Sequence, residues 1–174
     1  MKKQVVPNKG PHLIVHLGNA GKNPEKTRRY ARRFADSNIH FWGIDRLGSS
    51  KRHNNWTQIK TGFLSGLNRL RDSSVKIISS ELALGFFPKF KLTPYVGRVL
   101  HASFRKLKPG GKLYLVVTEK IRDSLLPSLQ RAGFPTETTE VRFLKTNEYN
   151  RTYWTRQCRI SEIPLIQIIA EKSM

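Results

Sequence analysis

His12-Leu-Ile-Val-His-Leu-Gly18-Asn19-Ala20-Gly21, then a basic segment, then Ile39-His-Phe-Trp-Gly-Ile-Asp45: this stretch decides the fold. Residues 12–18 are apolar apart from the histidines, which reads as a strand buried on both faces of a parallel sheet. Gly18 ends it, and Gly18 to Gly21 form a turn in which a missing side chain lets the backbone approach a ligand and enter a helix. From Pro24, with Asn23 as cap, Tyr30, Ala31, Phe34 and Ala35 recur at helical spacing. Asp36 and Asn38 close that helix before a second strand over 39–45, which ends in an acid. Strand, glycine turn, helix and acid-tipped strand open an α/β sheet of the kind that holds a nucleotide over its strand ends.

The remaining chain completes such a sheet. Between Asp45 and Asn55 no apolar periodicity survives, so that segment reads as a basic loop or a very short helix. Strand three is expected over Trp56 to Thr61, followed by a short helix that turns Phe63, Leu64, Leu67 and Leu70 inward. Val75 begins a fourth strand that ends in Ser79, Ser80 and Glu81. Pro94 opens a helix with Val96, Val99, Leu100, Ser103 and Leu107 as its buried stripe and Arg98, Arg105, Lys106 and Lys108 in solvent. Lys108-Pro-Gly-Gly111 is a stop and a tight turn, and Lys112 to Thr118 a strand. A helix over 121–132 packs Ile121, Leu125, Leu126 and Leu129 before Ala132-Gly-Phe ends it. Strand-like segments at about 137–145 and from Pro164 to Ala170 have no helix between them, so they form an antiparallel pair. The expected architecture is α/β, with about seven strands in one mostly parallel sheet.

At 174 residues there is room for one domain with a full core, since domains cluster at about 100–150 residues. Residues 1–11, polar and broken by Pro7, Gly10 and Pro11, read as a basic flexible lead-in to a single domain over 12–174. The 32 Lys and Arg against 12 Asp and Glu give a formal charge of +20, beyond the magnitude of roughly 2–8 that solubility asks of a small domain. A field of that sign draws polyanions. RNA comes first, because counterion release supplies most non-specific affinity, and an anionic membrane surface is the lesser alternative. The single cysteine, Cys158, excludes an intramolecular disulfide and a thiolate cluster within one chain. The histidines lack metal-ligand spacing, so no metal is expected. No stretch reaches the roughly 20 apolar residues of a membrane span, and Met-Lys-Lys-Gln does not open a signal peptide. The expectation is a cytoplasmic protein that meets no membrane.

Leu107-Lys-Pro-Gly-Gly-Lys-Leu-Tyr-Leu115, followed by a helix and Ala132-Gly-Phe134, resembles the fifth-strand region of class I (Rossmann-like) S-adenosylmethionine-dependent methyltransferases. The order of strands and helices across residues 12–172 is also similar to theirs. This resemblance implies a seven-stranded, mostly parallel sheet with a reversed last strand, helices on both faces, and S-adenosylmethionine bound over the ends of strands one and two. Within that superfamily the chain resembles the tRNA guanine-N7 methyltransferases. Their Phe-Pro-Asp-Pro-Trp element after strand four corresponds to Phe87-Pro88-Lys89-Phe90, and their Thr-x-aromatic-Glu-x-Arg element to Thr152 and Trp154, with Thr155 and Gln157 replacing Glu and Arg. The superfamily's acid and three alternate glycines fall on His16, Gly18, Ala20 and Lys22. Gly18 is kept in register, with Gly21 as a substitute.

On that resemblance the cofactor meets Gly18, Asn19, Ala20 and Gly21, then Asp45 and Arg46 after strand two, Gly62 and Phe63 after strand three, and Ser80 at the end of strand four. Asp45 is placed to accept hydrogen bonds from ribose hydroxyls; the alternative is a helix cap or an ion pair with Arg46. Phe63 stands where the superfamily often has an Asp for the adenine amine, and either stacks on adenine or belongs to the core. Glu81 is the candidate to orient or deprotonate an acceptor base, or else is a carboxylate paired with nearby cations. Candidate RNA contacts are Arg28, Arg29, Arg32 and Arg33 on the first helix, Lys89 and Lys91 among the phenylalanines of 84–91, and Arg151, Thr152, Trp154 and Arg156. Aromatics beside cations suit the stacking of unpaired bases.

The function expected is methyl transfer to structured RNA, tRNA or rRNA, in which positioning donor and acceptor does most of the work. The alternative is a catalytically silent relative, kept as an RNA-binding or ribosome-associated module; under either reading a protein partner that supplies missing contacts stays open. A dinucleotide-dependent oxidoreductase fits less well, because the glycine spacing departs from Gly-x-Gly-x-x-Gly.

Overall fold

The computed structural model describes residues 12–18, 38–46, 49–52, 54–81, 83, 94–144 and 164–173. In chain order its elements are β1 (His12–Leu17), β2 (Ile39–Asp45), β3 (Lys51–Arg52), β4 (Trp56–Lys60), α1 (Phe63–Leu67), β5 (Val75–Glu81), α2 (Pro94–Lys106), β6 (Leu107–Thr118), α3 (Arg122–Ala132), β7 (Thr139–Leu144) and β8 (Leu165–Glu171). They build one eight-stranded sheet in the order β3-β4-β2-β1-β5-β6-β8-β7. Strands β4, β2, β1, β5 and β6 are mutually parallel. Strand β8 runs against both β6 and β7, which gives the reversed strand and the antiparallel pair that the missing crossover helix requires.

Register fixes the faces. Val15 lies beside Trp42 and Ile78, Ile78 beside Leu113, and Leu113 beside Ala170, so these side chains share one face of the sheet. Against that face pack Leu67 of α1, Val96, Val99 and Leu100 of α2, and Leu125 and Leu129 of α3. Each such side chain withdrawn from water contributes roughly 1.5–3 kcal/mol, and this layer is the principal core. The opposite face carries a smaller cluster, Phe41 and Trp56 with Ile14 and Ile39. In β1, only Val15 and Leu17 are buried. The expectation of a strand buried on both faces therefore holds for one face alone. The helix expected from Pro24 lies outside the described residues, as does the lead-in 1–11.

Helix α2 begins at Pro94, whose fixed φ and absent N–H suit a first turn, and ends in Arg105 and Lys106, cations that favour a helix C-terminus. Lys106 is not in solvent as its charge suggested. It is 5% exposed, and its ammonium donates to Leu70 O at 2.7 Å and to Asp72 Oδ1 at 2.6 Å. A long apolar stem buried beneath a paired head satisfies both parts of the side chain. Helix α3 contains Pro127 and survives the lost backbone bond because Leu125, Leu129 and Ala132 are buried on one side of it. It stops at Gly133, whose φ of 108° is open to glycine. A Cβ there would also lie 2.8 Å from the Phe104 ring.

Two further departures from expectation have local causes. The basic segment after Asp45 contains β3, a two-residue strand paired antiparallel with Gln58 and Thr57 of β4, which raises the count to eight. Lys108-Pro-Gly-Gly111 is not a separate turn before a strand. Strand β6 starts at Leu107 and absorbs it as an irregularity, four residues (108–111) on β6 against one (Lys76) on β5. It is held by Gly110 N–H donating to Lys172 O at 2.8 Å and Lys172 N–H to Gly111 O at 2.9 Å.

Candidate cofactor and acceptor site

The parallel strands all finish at one edge of the sheet, the edge at which ligands bind in open α/β folds. Gly18 follows β1 there, Asp45 and Arg46 end β2, Gly62 and Phe63 follow β4, and Ser80 and Glu81 end β5. Backbone bonds tie these ends together. Gly18 N–H donates to Ile44 O at 2.9 Å and Thr61 N–H donates to Asp45 O at 2.8 Å. Sequence reading placed these residues in one site, and the fold brings them to one edge. Asn19, Ala20, Gly21 and all ten candidate RNA contacts, Arg28, Arg29, Arg32, Arg33, Lys89, Lys91, Arg151, Thr152, Trp154 and Arg156, lie outside the described residues.

Gly18 has a φ of 78°, and a Cβ on it would lie 2.2 Å from the Cβ of Ala83 and 3.4 Å from the Phe63 ring. Backbone shape and close approach both demand glycine here. Phe63 is half-buried and touches the core as well as the glycine turn. It packs against the core, with its Cζ turned towards Gly18. Asp45, only 7% exposed, lies in register with Lys60 across β4. Arg46 is exposed, and its guanidinium reaches Gly62: a Cβ there would be 3.6 Å from Arg46 Nε and 3.6 Å from the Tyr95 hydroxyl. That hydroxyl accepts from Leu64 N–H at 3.5 Å.

Tyr95 and Ala83 belong to the site without being candidates from the sequence. Tyr95 was findable, because α2 runs back against the strands and so places the first residues after Pro94 over their C-terminal ends. Ala83 was not, because nothing local marks an alanine as the neighbour of a glycine 65 positions earlier. His16, where the resemblance has an acid, pairs in register with Ser79 and hydrogen-bonds to its Oγ through Nδ1 at 2.7 Å. Ser80 is 1% exposed, and its Oγ has no hydrogen-bond partner among the described residues. Glu81, half-buried, follows it at the strand end.

On the β3–β4 side the edge of the sheet is basic, with Arg46, Lys51, Arg52 and Lys60 all exposed. Burial, and secondarily the charge of Arg52, hold the His40 imidazole below its usual pKa. His40 Nε2 and Thr57 Oγ1 lie 3.1 Å apart. Among the described residues no cluster of His, Cys, Asp and Glu has the arrangement to hold a metal ion. No described helix is long and apolar enough to cross a membrane.

The fold is that of the class I, Rossmann-like S-adenosylmethionine-dependent methyltransferases. It is similar to the 16S rRNA methyltransferase KamB, with a TM-score of 0.66 at 12% identity over 95% of this chain and 89% of that one. It is likewise similar to an arsenic(III) S-adenosylmethionine methyltransferase from Chlamydomonas reinhardtii, with a TM-score of 0.59 at 17% identity over 95% of this chain. The chain spans 64% of that protein's length. The cyclase SpnF also shares the fold, with a TM-score of 0.64 at 14% identity over 95% of this chain and 76% of that one. No family description matches the sequence, and no curated protein sequence matches it.

Proposed function

We propose that the chain is an S-adenosylmethionine-dependent methyltransferase acting on structured RNA, tRNA or rRNA. The observation that carries the first half is Asp45, a carboxylate buried at the end of β2 beside the Gly18 turn. Acids at that point in related sheets accept from ribose hydroxyls. The residues at hand fit the group. Asp45 suits the ribose, the Phe63 ring beside Gly18 offers a flat apolar wall to a base, and the buried Ser80 hydroxyl has unused hydrogen-bonding capacity. When bound, S-adenosylmethionine supplies an activated methyl group with a neutral leaving group, so this chain's residues have mainly to bind and orient.

Arg46 and the Tyr95 hydroxyl border Gly62 and limit the base-binding side of the site. Glu81 is the group at the strand ends that can orient an acceptor base or take up its proton. The RNA half of the proposal rests on the formal charge of +20, on the exposed cations of the β2–β3–β4 edge, and on the rRNA substrate in the name of one structural neighbour. The tRNA guanine-N7 likeness supports only the choice of RNA as substrate class, since both of its elements fall outside the described residues. The second reading, a silent RNA-binding module of the same fold, is favoured by Ala83 and Phe63 packing directly over Gly18. That a cyclase shares the fold means the fold alone does not imply methyl transfer.

Calorimetric titration with S-adenosylmethionine separates the two. The expected result is saturable binding that Asp45→Ala weakens about tenfold or more, as losing a charge-assisted hydrogen bond worth roughly 1.5–3 kcal/mol implies. No heat of binding at millimolar donor, with the protein folded, sinks the enzyme and leaves the RNA-binding module.

A further inference from the structure

Strand β7, Thr139–Leu144, closes the sheet at the β8 side and pairs with β8 alone among the described strands. Among the described residues nothing pairs with its outer backbone N–H and C=O groups, a six-residue edge of the kind that natural sheets usually cover, shorten or charge. The other edge of the sheet is handled in that way, by the two basic residues of β3. On β7 the edge instead carries Phe143, 61% exposed and the one large hydrophobic exposed among the described residues.

The order of residues along this edge is self-complementary. In an antiparallel pair, opposed residues share a face, so two copies of β7 can meet only in registers that place even-numbered residues against even. Centring the pair on Glu140 sets Glu140 against Glu140, and centring it on Arg142 sets Arg142 against Arg142. Like charges directly opposed destabilise a ladder. Centring on Val141 removes both conflicts. Glu140 then faces the second copy's Arg142 and Arg142 its Glu140, while on the other face each Phe143 covers a Thr139. Glu140, Arg142 and Phe143 are all exposed, and Arg142 is already held upright by donating from Nε to Gln167 Oε1 on β8.

From this geometry we infer that the chain forms a two-fold dimer by antiparallel pairing of β7 with β7 of a second copy, in the Val141-centred register. The two sheets join into one continuous sheet, and an isologous contact of this kind closes on itself. The copies repel through their net charge, but at physiological salt the screening length is about 8 Å. Screening removes most of the distant repulsion and spares opposed pairs in direct contact. An interface of one strand per copy, in which each Phe143 can cover at most the 61% of its surface still exposed, is at the small end of stable contacts and is expected to be concentration-dependent. The inference does not depend on methyl transfer.

Sedimentation equilibrium of the full chain at physiological salt tests it. The wild-type mass is expected to rise from monomer to dimer over micromolar to sub-millimolar concentrations. Glu140→Arg and Arg142→Glu are each expected to hold the chain as a monomer, with unchanged circular dichroism. The double exchange E140R/R142E is expected to restore the dimer, because it rebuilds the pairs with their signs reversed. A wild-type chain that stays monomeric throughout, or single variants that dimerise as wild type, overturns the inference. So does a monomeric chain in which Phe143→Ser weakens RNA binding, since Phe143 would then be a nucleic-acid contact.

Discussion

The two ends of the sheet are built on different principles. At the N-terminal ends of the parallel strands, side chains are locked to one another. Asp72 binds Arg105 at 2.8 Å and Lys106 at 2.6 Å, Lys172 donates to Leu107 O at 2.9 Å, and Lys112 meets Glu171 at 3.2 Å. Phe104 and Phe134 meet edge to face at 5.1 Å, with the Lys172 ammonium 4.9 Å from the Phe104 ring. At the C-terminal ends, a glycine of positive φ, a buried carboxylate, an unpartnered serine hydroxyl and an exposed arginine are grouped instead. The N-terminal ends pair their charged groups with one another, while at the C-terminal ends the buried Ser80 hydroxyl has no hydrogen-bond partner among the described residues. An unused buried hydroxyl is what a ligand site has to offer, because groups that already satisfy one another leave nothing for a ligand.

Two substitutions break the comparison at either end. Phe134→Ala in the locked end removes a ring that is 1% exposed. It is expected to cost about 3–5 kcal/mol, read as a lowered urea midpoint. Donor affinity per folded molecule should not change, and a matching loss of affinity would mean that the ends are not independent. Gly18→Ala forces a Cβ to within 2.2 Å of Ala83 at a φ of 78°. Overpacking and backbone strain together are expected to cost about 2–4 kcal/mol, and donor binding should fall as well. Pairing it with Ala83→Gly separates the causes. Stability that recovers in part while binding stays lost assigns the turn to the ligand, and recovery of both assigns it to packing.

The same division explains what could be read in advance. Strands with runs of Val, Ile and Leu, helices opened by Pro94 and closed at Gly133, and an antiparallel end without a crossover helix are local patterns, and the sequence carries them. The gathering of Gly18, Asp45, Gly62, Phe63 and Glu81 followed from their positions, since each ends or follows a strand of one parallel sheet. Tertiary partners were hidden. Strand β3 exists because Lys51 and Arg52 find Gln58 and Thr57, and two residues give no period to detect. Lys106 is buried because Asp72 and Leu70 O wait for its ammonium. Lys108-Pro-Gly-Gly becomes part of a strand because Lys172, far along the chain, bonds it on both sides.

The smallest effect expected here sharpens the locked end. Hydrogen bonds from Lys106 and Arg105, with their charges, hold the Asp72 carboxyl down to about 2 from 3.8. A group with a depressed folded pKa stabilises the fold fully above its unfolded value, and that contribution fades as pH falls from 3.8 towards 2. Asp72 is half exposed, so solvent screens the pair and the effect is modest. Asp72→Asn is therefore expected to lower the urea midpoint slightly at pH 6. The gap from wild type should close progressively below pH 4 as the native carboxylate is protonated and loses its advantage over the amide. A gap that stays constant across that range would show that the carboxylate's shape, rather than its charge, holds Lys106 in place.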